Sequence, residues 1–278
     1  MNFYNKGYYT TSFTLALVLL YTITLCSCQK VITLDLNSAA PALVVEGGIT
    51  DQAGPCTIQL TKTVNFSESN TFPPFTGASV IINDNTGNTQ TLVETTPGIY
   101  TASSLQGTIG KAYTLLITAG GKNYQAVSTL PAPVTIDTLV QLSSSGFGGG
   151  PGGEVSKFVA IAFTDPVGVE NYYRIVEIIN GVTVSNISIT RDFGRDGTLI
   201  TSNLRRTGEI KLQTGDSVTV QLQSIDKNVY EYYRTFNQSS GGAGFTSTTP
   251  ANPTSNISNG ALGYFSAYAV TTKKIVIQ

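Results

Sequence analysis

Few side chains in this sequence are equipped for chemistry, and the first to look for is missing: none of its 278 residues is histidine. That removes the group most used for proton transfer near neutral pH and for binding zinc. Ser224 and Lys227 have Ser-x-x-Lys spacing, in which a lysine one helical turn away eases removal of the serine proton. No Ser-Asp-Asn follows, and the nearest analogue of Lys-Thr-Gly, Arg206-Thr207-Gly208, comes before the serine, so Ser224 reads as a helix cap. Asp192 and Asp196 suggest a calcium loop or a carboxylate pair. Arg191 and Arg195 alternate with them, so the local charge cancels and a solvated turn is expected. Gly148, Gly150 and Gly153 have the spacing of a dinucleotide loop, but Pro151 interrupts it and a strand-like run follows where a helix N-terminus would be needed to hold a pyrophosphate. Tyr172, Tyr173, Tyr230, Tyr232, Tyr233, Tyr264 and Tyr268 offer stacking faces for a sugar, yet all fall inside expected elements and read as packing. No catalytic, cofactor-binding or metal residue is assigned.

The thiols are more informative. Cys26 and Cys28 stand at the end of a leader and Cys56 is alone in the body of the chain, which excludes an intramolecular disulfide framework there. Residues 1–12 are polar with one charge, Lys6, and residues 13–25 form an apolar run. Such a run is too short to cross a bilayer as a helix, which takes ~20 residues, and it reads as a signal peptide. Its end, Leu25-Cys26-Ser27-Cys28, resembles the lipobox of bacterial lipoproteins: a large aliphatic residue three before the modified cysteine and a small one just before it. Cys28 fits, with cleavage between Ser27 and Cys28, whereas Cys26 follows the bulky Leu25. The chemistry needs a thiol, because sulfur takes up a diacylglyceryl group before cleavage frees the cysteine amine for a further acyl chain. Gln29 follows Cys28 in place of the aspartate that retains lipoproteins in the inner membrane, so the outer membrane is the expected destination, on either its periplasmic or its surface face.

The elements that would carry these residues are strands. Charged residues make up only 12% of the chain and Gly is plentiful, which suits short strands and many turns. Residues 28–41 form a short tether. Cys56, Ile58 and Leu60 alternate with polar neighbours, placing Cys56 on a core face. Strands are expected at 43–50, 78–84, 89–94, 112–119 and 122–129, the last two joined by the turn Gly120-Gly121. Pro131 and Pro133 then mark a stiff hinge. Beyond it, residues 158–163 are apolar on both faces, as in a central strand. Asn180-Gly181 joins strands at 172–179 and 182–189, and further strands are expected at 209–212, 217–223, 261–269 and 273–277. Val229, Tyr232, Tyr233 and Phe236 fall at helical spacing after Ser224 or Asp226. The expectation is an all-β protein: one β-sandwich over 42–130 and a second over 131–278 that carries one short helix and a Gly-rich loop at 143–154. Tyr264 or Phe265 is expected to fill the second core.

Several stretches resemble a known family. Leu43-Val44-Val45-Glu46-Gly47, Gly98-Ile99-Tyr100 and Gly110-Lys111-Ala112-Tyr113, then Asn171-Tyr172-Tyr173-Arg174, Pro253-Thr254-Ser255-Asn256-Ile257 and Gly260-Ala261-Leu262-Gly263-Tyr264-Phe265, are similar to the lipoprotein family of unknown function 4249 of the Bacteroidota. The first half also resembles transthyretin-like or carboxypeptidase-regulatory sandwiches. The resemblance implies an outer-membrane lipoprotein without established activity, often encoded beside a TonB-dependent β-barrel transporter, and it transfers no catalytic, cofactor or ligand residue. Three functions compete: an accessory or binding subunit of such a transporter, a structural or adhesive surface protein, and a hydrolase. The formal charge is −1, and Lys6 contributes the only charge of the leader, so the remainder offers no excess of basic side chains for nucleic acid.

Overall fold

Alternation of β-branched or aromatic residues with polar ones builds this chain out of strands. The computed structural model describes residues 40–65, 71–145, 155–204, 211–239 and 252–278. The first seven strands are β1 (Leu43–Thr50), β2 (Cys56–Lys62), β3 (Ser79–Asp84), β4 (Thr89–Thr96), β5 (Ile99–Ala102), β6 (Ala112–Ala119) and β7 (Lys122–Thr129). They are followed by β8 (Thr138–Ser145), β9 (Val155–Thr164), β10 (Tyr172–Ile179), β11 (Val182–Thr183), β12 (Ser188–Arg191), β13 (Leu199–Leu204) and β14 (Ser217–Ile225). Helix α1 (Lys227–Ser239) and the long strand β15 (Leu262–Val276) complete the order. Among the described residues the fold is all-β with one helix, as expected from composition. Among the described residues no helix is long and apolar enough to cross a membrane.

One hydrogen-bonded path runs β11-β10-β14-β15-β1-β2-β5-β4-β3-β6-β7, with β12 also on β10, and a separate three-stranded sheet runs β13-β9-β8. The first core lies between the strands around β1, β2, β5 and the start of β15 and those around β3, β4, β6 and β7, with Val45, Ile58, Leu60, Val80, Leu115 and Phe265 fully covered. The second lies between the β13-β9-β8 sheet and β10, β14 and the end of β15, around Val159, Ile161, Phe163, Tyr173, Val218 and Leu222. The hinge stretch straddles them: Leu130 is buried in the first core, Val134 and Ile136 in the second. A third, tyrosine-rich cluster packs α1 against β10 and β14 through Tyr172, Ile225, Val229, Tyr230, Tyr232 and Tyr233.

β15 ties these parts together, and the motif in front of it explains how. Its first half pairs in parallel with β1, Val45 opposite Gly263 and Gly48 opposite Ser266, and its second half pairs antiparallel with β14. Gly263 has φ of 90°, and a β-carbon there would lie 1.9 Å from the Val45 carbonyl oxygen, so only glycine permits this approach. The Asn256 amide donates to Phe265 O at 2.8 Å and its Oδ1 accepts from Phe265 N–H at 3.0 Å, while the Ser255 hydroxyl donates to Gly263 O at 2.9 Å. Ser255 and Asn256 therefore act as an additional strand edge that fixes where β15 begins. Phe265 corrects one expectation: it fills the first core, not the second, because β15 starts on the β1 side of the sheet.

Other departures are local. The expected pair at 261–269 and 273–277 is one continuous strand, and the expected strand at 182–189 breaks into β11 and β12. Residues 211 and 212 are not in a strand, while 209 and 210 lie outside the described residues. β5, β8 and β13 were not anticipated. Both hairpin turns are present, with φ of 56° and 75° at Gly120-Gly121 and of 50° and 85° at Asn180-Gly181.

The β3–β4 turn carries a pH-dependent lock. Asp84 accepts from Lys111 Nζ at 2.8 Å, from Asn88 Nδ2 at 2.8 Å and from the main-chain N–H groups of Thr86 and Asn88, both at 2.9 Å. The Lys111 ammonium first, and the Asn88 amide second, hold its carboxyl well below the usual carboxylate range. A folded value below the unfolded ~3.9 means that the contribution is full above that value and is lost as pH falls from there through the folded one. Thermal melts of wild type and Asp84→Asn are thus expected to differ most near neutral pH and to converge on acidification. A gap that stays constant with pH would contradict the assignment.

Candidate functional site

Where β1, β10, β14, β15 and α1 meet, the chain forms a partly open cavity of about 210 Å³. Strand alternation supplies its walls. On β15, Phe265, Ala267 and Ala269 point into the first core, which turns Tyr264, Ser266 and Tyr268 to the opposite face and into the cavity. On β10, Tyr173 and Ile175 enter the second core, so Arg174 between them faces the other way, beside its cross-strand partner Gln223. The Arg174 Nη1 donates to Gln223 Oε1 at 3.2 Å, and its guanidinium lies 4.7 Å from the Tyr233 ring centre. Tyr233 descends from α1, and its ring is 5.0 Å from that of Tyr264. Gly48 completes the β1 side: a β-carbon there would sit 2.0 Å from Ser266 O, so the strand backbones close the floor directly.

The helix is held over this cavity by polar contacts at its start. Asp226 caps it, Oδ1 accepting from Val229 N–H at 3.0 Å. The buried Ser128 hydroxyl donates to Asp226 Oδ2 and accepts from Ala267 N–H at 2.8 Å, joining β7, α1 and β15 at one atom. Of the two caps considered from sequence, Asp226 is the one used.

Electrostatically the cavity is positive. Arg174 is the one basic or acidic side chain among its lining residues, and burial pushes the Tyr233 and Tyr268 phenols above their ordinary range. Ser266 is 4% exposed, and its Oγ is buried without a hydrogen-bond partner in the protein. A desolvated hydroxyl without a partner costs about 1–3 kcal/mol, which a bound group or a trapped water would recover. A planar guanidinium, unpartnered hydroxyl and tyrosine rings together suit a small ligand carrying an anionic or acceptor group and a flat or apolar body. A larger groove of about 570 Å³, lined by Gln125, Asn228, Glu231 and residues 254–258, is open to solvent and contains no buried polar atom lacking a partner.

Residues 29–274 match the domain of unknown function DUF4249. The chain belongs to the DUF4249 family. No curated protein matches it. Among solved structures, a two-domain fibronectin type III segment from chicken tenascin is similar at 14% identity over 66% of this chain and 90% of that one, with a TM-score of 0.20.

Within the DUF4249 chain, the residues singled out from sequence fare differently. Ser27 and Cys28 lie outside the described residues, as do Gly148, Pro151 and Gly153. Cys56 is buried on β2, its Sγ donating to Gly48 O at 3.3 Å, and burial pushes its thiol up to about 12, so it packs as expected. Ser224 is buried on β14, whereas the Lys227 ammonium faces solvent 3.9 Å from Glu170 Oε2, so no serine–lysine pair forms. Tyr172, Tyr230, Tyr232 and Tyr233 pack as expected, and Tyr264 and Tyr268 pack against them half-buried while also lining the cavity. The solvated turn expected at Asp192 and Asp196 needs correction. Asp192 is 6% exposed, and Asp165 at the end of β9, itself 2% exposed, brings a third carboxylate beside the pair. Sequence inspection missed Arg174 and Ser266. The period-two alternation of Tyr264, Ser266 and Tyr268 on a strand whose other face is apolar was the available signal.

Proposed function

We propose that this DUF4249 protein is a lipid-anchored binding subunit of the outer membrane, held by acyl chains on Cys28 and working as an accessory to a TonB-dependent β-barrel transporter. It is not an enzyme in this reading, and it uses no cofactor. The observation that carries the binding role is the Arg174 cavity: one fixed positive charge, a desolvated Ser266 hydroxyl and tyrosine faces converge on a space sized for a small group. The anchor rests on the lipobox-like end of the leader, Leu25-Cys26-Ser27-Cys28. Residues 29–41 extend at most ~3.3–3.6 Å each, which keeps the folded part within ~45 Å of the bilayer and within reach of a barrel.

Native mass spectrometry tests the binding role. Protein released gently from outer membranes is expected to carry a small acidic adduct, and Arg174→Ala is expected to lose it while melting within ~1 kcal/mol of wild type, because Arg174 stands outside all three apolar clusters. An adduct retained in Arg174→Ala, or none in wild type, contradicts the cavity as the binding site.

A further inference from the structure

We propose that Asp165, Asp192 and Asp196 form a calcium site at the end of the β13-β9-β8 sheet. One carboxylate oxygen of each lies within 4.8 Å of the other two. Calcium binds oxygen at about 2.3–2.6 Å, so two ligands on opposite sides of one ion stand about 4.6–5.2 Å apart, and a single ion reaches all three. The carboxylates are held in place by the protein. Asp165 Oδ1 accepts from the Tyr173 hydroxyl, Asp192 Oδ2 from Asn171 N–H at 2.9 Å, and Asp196 Oδ1 from Gly168 N–H at 2.8 Å.

A further observation points to a ligand. The second oxygen of Asp165 is buried and has no donor, in a side chain that is 98% covered. Asn171 brackets Asp192 with its main chain, donating to the carboxylate and accepting from Asp192 N–H at 3.3 Å, and its own amide oxygen is also buried without a donor. A free carboxylate oxygen is a ligand type that a hard cation selects.

The charge around the cluster also favours a cation. Among the described residues no ion pair joins any of the three aspartates. The two nearby arginines, expected from sequence to cancel them, are engaged elsewhere. Arg195 Nη2 donates to Thr190 Oγ1 at 3.3 Å and to Arg191 O at 3.1 Å, and the Arg191 guanidinium lies 4.7 Å over the Phe193 ring. Two buried carboxylates and a third within 4.8 Å gather like charge in a medium that screens poorly, which a bound metal ion would offset. The exposed Asp196 leaves a path from solvent. Magnesium demands tighter, near-octahedral geometry and keeps its waters, so the rigid, partly dry set favours calcium.

Terbium luminescence reads the site directly. The chain has no tryptophan, and the Tyr173 hydroxyl is bonded to Asp165, so a lanthanide held there would be sensitised by tyrosine at short range. Full-length protein stripped with chelator and titrated with terbium chloride is expected to emit, to lose the emission on adding calcium chloride, and to keep most of it in equimolar magnesium chloride. Asp196→Asn, chosen because its side chain is exposed and its loss spares the core, is expected to weaken terbium binding at least about tenfold. Calcium at ~1 mM is expected to raise the melting temperature of wild type and not of this variant. No calcium-displaceable emission, or equal emission in Asp196→Asn, overturns the proposal. If calcium shifts neither melting curve while Asp165→Asn melts higher than wild type, no cation offsets the buried charge and the proposal also fails.

Discussion

Phe265→Ala is expected to lower the free energy of unfolding by about 3–5 kcal/mol, the range for removing a fully buried aromatic ring from a core that cannot collapse around the void. Phe265 is fully buried in the first core. Both of its main-chain polar groups are held by the Asn256 side chain, so the strand cannot slide to fill the space. β15 also pairs with both β1 and β14, and a void at its start weakens the one strand that both apolar cores share. Urea unfolding monitored by circular dichroism reads the loss as a lower midpoint at similar slope. A variant as stable as wild type would show that the ring contributes little to this core.

Cys28→Ser is expected to abolish lipidation and leave an unlipidated precursor. A serine oxygen does not replace the thiol in forming the thioether, and without the diacylglyceryl group the leader is not cleaved at this site. One acyl chain binds a bilayer only marginally, while each buried CH₂ adds ~0.8 kcal/mol, so the two or three chains expected on Cys28 separate durable anchorage from release by many orders of magnitude. Intact mass and tryptic peptides around residue 28 distinguish the outcomes. Wild type should show a mature N-terminus at a modified Cys28, and the variant an unmodified precursor. An unmodified Cys28 in mature wild-type protein would remove the anchor from the account.

What was legible in the sequence is what neighbours in sequence determine. The hairpin glycines need positive φ, the alternation on β2 placed Cys56 inward, and the spacing of Val229, Tyr232 and Tyr233 located the helix. What was not legible depends on pairings between distant segments. The parallel β1–β15 pair joins the two ends of the described chain, and it decides that Phe265 serves the first core and that Ser266 faces the Arg174 cavity. Asp165 meets Asp192 and Asp196 only because β13 lies beside β9 and β12 beside β10. The arginine reading failed for a related reason. Alternating signs along a turn do not fix which partners the guanidinium groups choose, and here an aromatic face, a hydroxyl and a carbonyl took them.

The central claim is that this DUF4249 protein works at the outer membrane as a lipid-anchored binding subunit. Affinity capture of the tagged wild-type protein from detergent-solubilised outer membranes, with mass spectrometry of what accompanies it, tests this most directly. The account predicts a lipidated chain beginning at Cys28 that brings down a β-barrel transporter in near-stoichiometric amount. Recovery of the lipidated chain mainly from the inner membrane, or from the outer membrane with no barrel partner, would contradict it.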